Sequence, residues 1–66
     1  MLYRVRLYNC AVREGHDVDV EADDAQSAAE TVSGEKLKAE GPIAKYRAEV
    51  WLKTQRPLTK TSFYSV

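Results

Sequence analysis

Odd and even positions separate cleanly at the start of the chain. Over residues 2–9, Tyr3, Val5 and Leu7 fall on one side and Arg4, Arg6 and Tyr8 on the other, the two-residue period of a half-buried strand. The period returns at residues 17–22, where Val18, Val20 and Ala22 alternate with Asp17, Asp19 and Glu21. It is strongest over residues 44–53: Ala44, Tyr46, Ala48, Val50 and Leu52 share one face, and Lys45, Arg47, Glu49, Trp51 and Lys53 share the other. Between the first two runs lies Cys10-Ala11-Val12-Arg13-Glu14-Gly15. Gly15 is suited to the positive φ of a hairpin return.

A different period separates the second strand from the third. Ala25, Ala28, Ala29 and Val32 form one stripe at helical spacing, behind Asp23 and Asp24, which suit the free N–H groups and the positive end of a helix. The small stripe lets the helix lie close to a sheet. Gly34 ends or frays it, and Leu37 falls off the stripe; residues 35–39 suit a further helical stretch, which Gly41-Pro42 stops. Residues 54–57 read as a turn, and residues 58–66, rich in Thr, Ser, Phe and Tyr, as a last strand whose register the pattern does not fix. The expected architecture is α+β over residues 1–66: a single helix packed on one face of a three- to four-stranded antiparallel sheet, in the order strand–strand–helix–strand–strand. With so few large apolar residues, a truncation such as Val50→Ala is expected to threaten the fold.

Length sharpens that expectation. A 66-residue chain is one domain, and at this size folding buries only about 60% of the surface exposed when unfolded. Domains this small lean on disulfides, a metal, self-association or a well-ordered core. Cys10 is the only cysteine and His16 the only histidine, which excludes an internal disulfide and a four-ligand zinc site built from such residues. No cofactor is implied. A lone thiol fits a reducing compartment, the cytoplasm of the organism or of an infected host, and no apolar run approaches a signal or membrane-spanning segment.

The charges sum to zero but come in blocks: +2 over residues 1–15, −6 over 16–41 and +4 over 42–66. Asp17, Asp19 and Glu21 offer a row rather than the wrapping loop that calcium needs, and they are expected to face Arg4 and Arg6 across the hairpin. Cys10 and His16 lack a third group to orient the base, Ser27, Ser33, Ser62 and Ser65 have no base at a motif spacing, and Gly15, Gly34 and Gly41 are too scattered for a phosphate loop. The reading is therefore not an enzyme; the rival is an enzyme fragment completed by a second chain, with Cys10 or His16 as its candidates.

What survives is the sheet face away from the helix, where Arg4, Arg6, Tyr8, Lys45, Arg47, Trp51 and Lys53 are expected to gather. Trp, Tyr and Arg dominate protein–protein hot spots. An outward Trp51 is explained by docking onto a protein or nucleoprotein complex, by a homodimer through the open face, or by Phe63 and Tyr64 folding over it. Basic residues interleaved with Tyr8 and Trp51 also resemble a stacking platform for single-stranded nucleic acid, the second reading, against which stand Asp17, Asp19, Glu21, Glu49 and the zero net charge.

The run Arg13-Glu14-Gly15-His16-Asp17-Val18-Asp19-Val20-Glu21-Ala22-Asp23-Asp24-Ala25-Gln26-Ser27-Ala28 resembles a strand-to-helix junction of many small bacterial and phage proteins, some anti-CRISPR proteins among them. The likeness covers about a quarter of the chain. It implies a non-enzymatic inhibitor, of accessory or mobile-element type, that docks on a CRISPR nucleoprotein and blocks its nucleic-acid binding; it assigns no binding residue.

Overall fold

The computed structural model describes residues 1–9, 12–54 and 59–66. The alternating segments form β1 (Leu2–Asn9) and β2 (Val12–Glu21), and the alanine stripe forms α1 (Ala25–Ser33). They are followed by β3 (Leu37–Lys38), a 3₁₀ turn (Ile43–Lys45), β4 (Tyr46–Leu52) and β5 (Lys60–Ser65). The protein is α+β, with one helix and a five-stranded sheet in the spatial order β2-β1-β4-β5-β3, every neighbouring pair antiparallel. The sheet thus exceeds the expected three to four strands, and the chain order gains a strand after the helix. No helix of the described residues is long and apolar enough to cross a membrane.

The added strand is β3. Glu35–Ala39 do not continue the helix, because Gly34 closes it in the left-handed region with its N–H on the Glu30 carbonyl. Leu37 then drops into the core and pairs with Ser65. Its N–H donates to Glu30 Oε2 and its carbonyl accepts from Gln26 Nε2, both at 2.9 Å, so side chains of α1 satisfy what so short a strand leaves open. At the other helix end, the Asp24 carboxylate accepts from the Ser27 N–H at 2.7 Å. That bond holds the carboxyl below its usual value.

The core lies between α1 and one sheet face: Tyr3, Val5, Ala28, Ala29, Leu37, Ala48, Val50 and Phe63 are buried, with Leu7, Val20, Ala25, Val32 and Leu52 packed around them. The helix contributes mostly alanine here, so its axis comes close to β1 and β4 and the sheet supplies the bulk.

Two irregularities decide where the remaining side chains go. In β1–β2 the pairing moves from Val5↔Val18 to Leu7↔Glu14, so β2 bulges around Gly15. Gly15, with φ +66°, therefore serves a bulge inside β2 and not the hairpin return. Asn9 pairs with Val12, and Cys10 and Ala11 between them lie outside the described residues. A Cβ at Gly15 would meet nothing within 4 Å, so only the backbone resists substitution. Gly15→Ala is expected to cost about 1 kcal/mol, and Gly15→Asn less, in urea unfolding.

The second irregularity is in β4, where Tyr46↔Tyr64 is followed by Ala48↔Phe63. One extra residue on β4 exchanges the expected sides of Tyr46 and Arg47. Ala44 and Lys45 precede β4 in the 3₁₀ turn, closed by the Lys45 N–H on the Pro42 carbonyl, and do not extend its alternation. The expected turn at residues 54–57 lies outside the described residues from Gln55 onward.

Candidate binding face of the sheet

Alternation in β1, β4 and β5 sends Arg4, Arg6, Tyr8, Glu49, Trp51, Lys60 and Ser62 away from α1. Trp51 sits on the central strand of the sheet, between Arg4 of β1 and Lys60 of β5, and is half-buried. Phe63 belongs to the core beneath the sheet and Tyr64 packs on Tyr46, so neither folds over the indole. Instead the Arg6 guanidinium stands 5.1 Å from the ring centroid.

Arg6 is itself fixed. Its Nε and Nη2 donate to the two oxygens of Asp17 at 3.0 and 3.1 Å, a fork-to-fork pair that Arg13 joins from across the bulge at 3.1 Å. The hydrogen bond from Arg6 is the first reason that Asp17 is held below the usual carboxylate value, and the same pair raises the Arg6 guanidinium. Asp19 is lowered as well, by the Lys53 ammonium at 2.7 Å and then by Arg4 at 3.1 Å. The two Asp19 pairs are exposed and contribute little to stability. Their consequence is order: they hold the cations around Trp51 in place.

Below Trp51 lies a different arrangement. Glu49 is 7% exposed and accepts hydrogen bonds from the Tyr8 and Tyr46 hydroxyls and from Lys60 Nζ. Burial pushes its carboxyl up, but these donors outweigh burial and hold it below the usual value. Tyr46 is pushed up to about 12, by burial first and by its bond to Glu49 second, so its hydroxyl remains a donor across the neutral range. The rings of Tyr8, Tyr46 and Tyr64 meet edge to face at 5.2 and 5.3 Å, forming a row across three strands. Gly41 closes that end: a Cβ there would stand 3.0 Å from the Tyr64 Cβ, so the segment between β3 and β4 lies against the ring.

Of the expected site residues, Arg4, Arg6, Tyr8, Trp51 and Lys53 share this face or its rim, and Arg47 and Lys45 do not. The bulge turns Arg47 toward the end of the sheet, where Nη1 donates to the Tyr8 carbonyl at 2.8 Å and to Glu14 at 3.3 Å, with Glu35 at 3.6 Å from Nε. Lys45 lines the open groove of about 420 Å³ beside Arg47. Tyr46, Ser62 and Lys60 belong to the face and were not expected there. Tyr46 suits either side of a strand, so no residue type signals its reversal, and Ser62 and Lys60 required the unknown register of β5. His16 is exposed in β2, and Cys10 lies outside the described residues. No protein family, no curated protein and no solved structure matches this chain.

Proposed function

We propose that this chain is a non-catalytic protein-binding domain of the cytoplasm that docks through the uncovered sheet face around Trp51. The observation that carries the reading is the half-buried indole on the central strand, clamped by Arg6 and flanked by Arg4, Lys60 and Lys53, with no second layer over it among the described residues. A rigid aromatic held by ordered arginine loses little freedom on binding, which is what a hot spot requires. The likeness of residues 13–28 to anti-CRISPR proteins narrows the proposal to an inhibitor that docks on a nucleoprotein complex.

Single-stranded nucleic acid is the reading that the charge pairing disfavours. Arg4, Arg6, Lys53 and Lys60 each end on a carboxylate, so a phosphate would have to displace Asp17, Asp19 or Glu49. The proposal is tested by affinity capture from the native cytosol with the wild type and Trp51→Ala side by side. A partner held by the wild type is expected to be lost, more than tenfold in recovery, from a Trp51→Ala protein with unchanged far-UV circular dichroism. Retention of every captured partner would refute it. Oligonucleotide titration at two salt concentrations supplies the other arm: tight, salt-weakened binding would replace the protein partner with nucleic acid.

A further inference from the structure

The acids around Trp51 have spent their hydrogen-bonding capacity on the protein's own cations. Asp17 Oδ1 accepts from Arg6 and Arg13, and its Oδ2 from Arg6. Asp19 Oδ1 accepts from Arg4, and its Oδ2 from Lys53. Glu49 Oε1 accepts from Tyr8, and its Oε2 from Tyr46 and Lys60. Glu21, at the corner of the face, is held by the Met1 ammonium.

The donors are not spent. Arg4 uses its Nε on Asp19, and neither of its terminal nitrogens has a partner among the described residues. Arg13 pairs across the hairpin with Tyr8 and so shares its face. It uses one terminal nitrogen on Asp17 and keeps its Nε and the other. Both side chains are about half exposed, at 48% and 53%, so these nitrogens meet solvent. The Trp51 indole N–H has no acceptor among the described residues, and none of their buried side-chain polar atoms is unpartnered, so it too opens to solvent.

Charge points the same way. With Glu21 set against the Met1 ammonium, five cations (Arg4, Arg6, Arg13, Lys53, Lys60) face three acids (Asp17, Asp19, Glu49), a surplus of +2. Once its own pairs are made, the face lacks acceptors and negative charge.

Resting on the reading that this face docks a protein, we propose that the partner presents an acidic segment to it. Asp or Glu side chains of that segment take the free nitrogens of Arg4 and Arg13, and a carbonyl oxygen takes the indole N–H. Arg4 lies four residues from Tyr8 on β1, and Arg13 is opposite Tyr8, so the two carboxylates stand roughly 13 Å apart, the span of four residues of extended chain. A side-chain carboxylate reaches Arg4 or Arg13 singly and leaves Asp17 and Asp19 in place. A phosphate backbone carries a charge at every nucleotide and would run along those acids as well.

The probe is a fluorescein-labelled nine-residue peptide of alternating Glu and Leu, titrated by anisotropy, with a Gln–Leu peptide as comparison. Saturable binding is expected, at least tenfold tighter than that of the Gln–Leu peptide. Arg4→Gln and Arg13→Gln are each expected to weaken it about fivefold, with circular dichroism verifying that the variants are folded. Lys36→Gln, an exposed position just before β3 at the opposite edge of the sheet from β2, is expected to change nothing. No saturable binding, equal binding of the Gln–Leu peptide, binding indifferent to both arginine variants, or an equal loss in Lys36→Gln would overturn the acidic partner. An eight-nucleotide oligo-dT that binds as tightly as the Glu–Leu peptide would overturn it too and assign the free donors to phosphate. The docking face is judged separately, by capture with Trp51→Ala. A partner lost there while the acidic peptide fails to bind keeps the face and overturns only the acidic character of what it binds.

Discussion

Phe63→Ala is expected to destabilise the protein by about 3–5 kcal/mol, the largest loss of any single truncation in its core. Phe63 is the only phenylalanine and is 4% exposed, on the helix side of β5, where Ala48 of β4 is its cross-strand neighbour. The surrounding alanines Ala28, Ala29 and Ala48 have no side-chain length with which to fill the space it would vacate. Truncating a buried phenylalanine costs about 3–5 kcal/mol, transfer and cavity together. A chain of 66 residues has roughly 3–10 kcal/mol of total stability at the usual value per residue. The substitution therefore removes a third or more of the stability and, at the lower end, all of it. Val50→Ala, at 1% exposure, removes less volume and is expected to cost about 2 kcal/mol, a weakened but folded protein. Urea unfolding followed by Trp51 fluorescence and far-UV circular dichroism measures both. An unchanged midpoint for Phe63→Ala would mean that the core is not where the buried side chains place it.

The helix and the two faces of the first hairpin were legible because their signals are local. Arg4 and Arg6 alternate with Tyr3 and Val5 over an unbroken stretch, and the acids of β2 meet those arginines as the alternation requires. Asp24 and Gly34 bound α1 by chemistry that a single residue carries. What was not legible depends on distant partners. A strand of two residues has no period, and Leu37 becomes one only because Ser65 lies beside it and Gln26 and Glu30 bind its backbone. Strict alternation also assumes that no residue is inserted. The bulge in β4 breaks that assumption between Tyr46 and Ala48, which is why Arg47 leaves the face and Tyr46 enters it. The structure therefore keeps Trp51 and Arg6 on the expected face, takes Arg47 and Lys45 off it, and buries Glu49 there, whose donor Tyr8 lies 41 positions away along the chain.

That carboxylate carries the second large expectation. Glu49→Ala removes the shared acceptor of Tyr8, Tyr46 and Lys60. Tyr46 keeps its contact with Ser62 at 2.9 Å, whereas the Tyr8 hydroxyl loses its acceptor in a partly buried position. Stranding such a hydroxyl and losing bonds to a charged acceptor is expected to cost about 2–3 kcal/mol. Glu49→Gln keeps the shape and one carbonyl oxygen and should cost less. The pH dependence separates the charge from the packing. Glu49, Asp17 and Asp19 all hold protons less tightly in the folded chain than their usual values imply. The unfolded chain therefore binds protons first as pH falls, and the stability these groups contribute, full above about pH 5, drains as pH drops through their folded values. Glu49→Gln deletes one of these groups, so its unfolding free energy, below the wild type at pH 7, should converge on it as pH falls below about 5. If the gap between the two proteins stays constant over that range, the ionised form of Glu49 is not what its three donors stabilise, and the polar cluster below Trp51 is held together by shape instead.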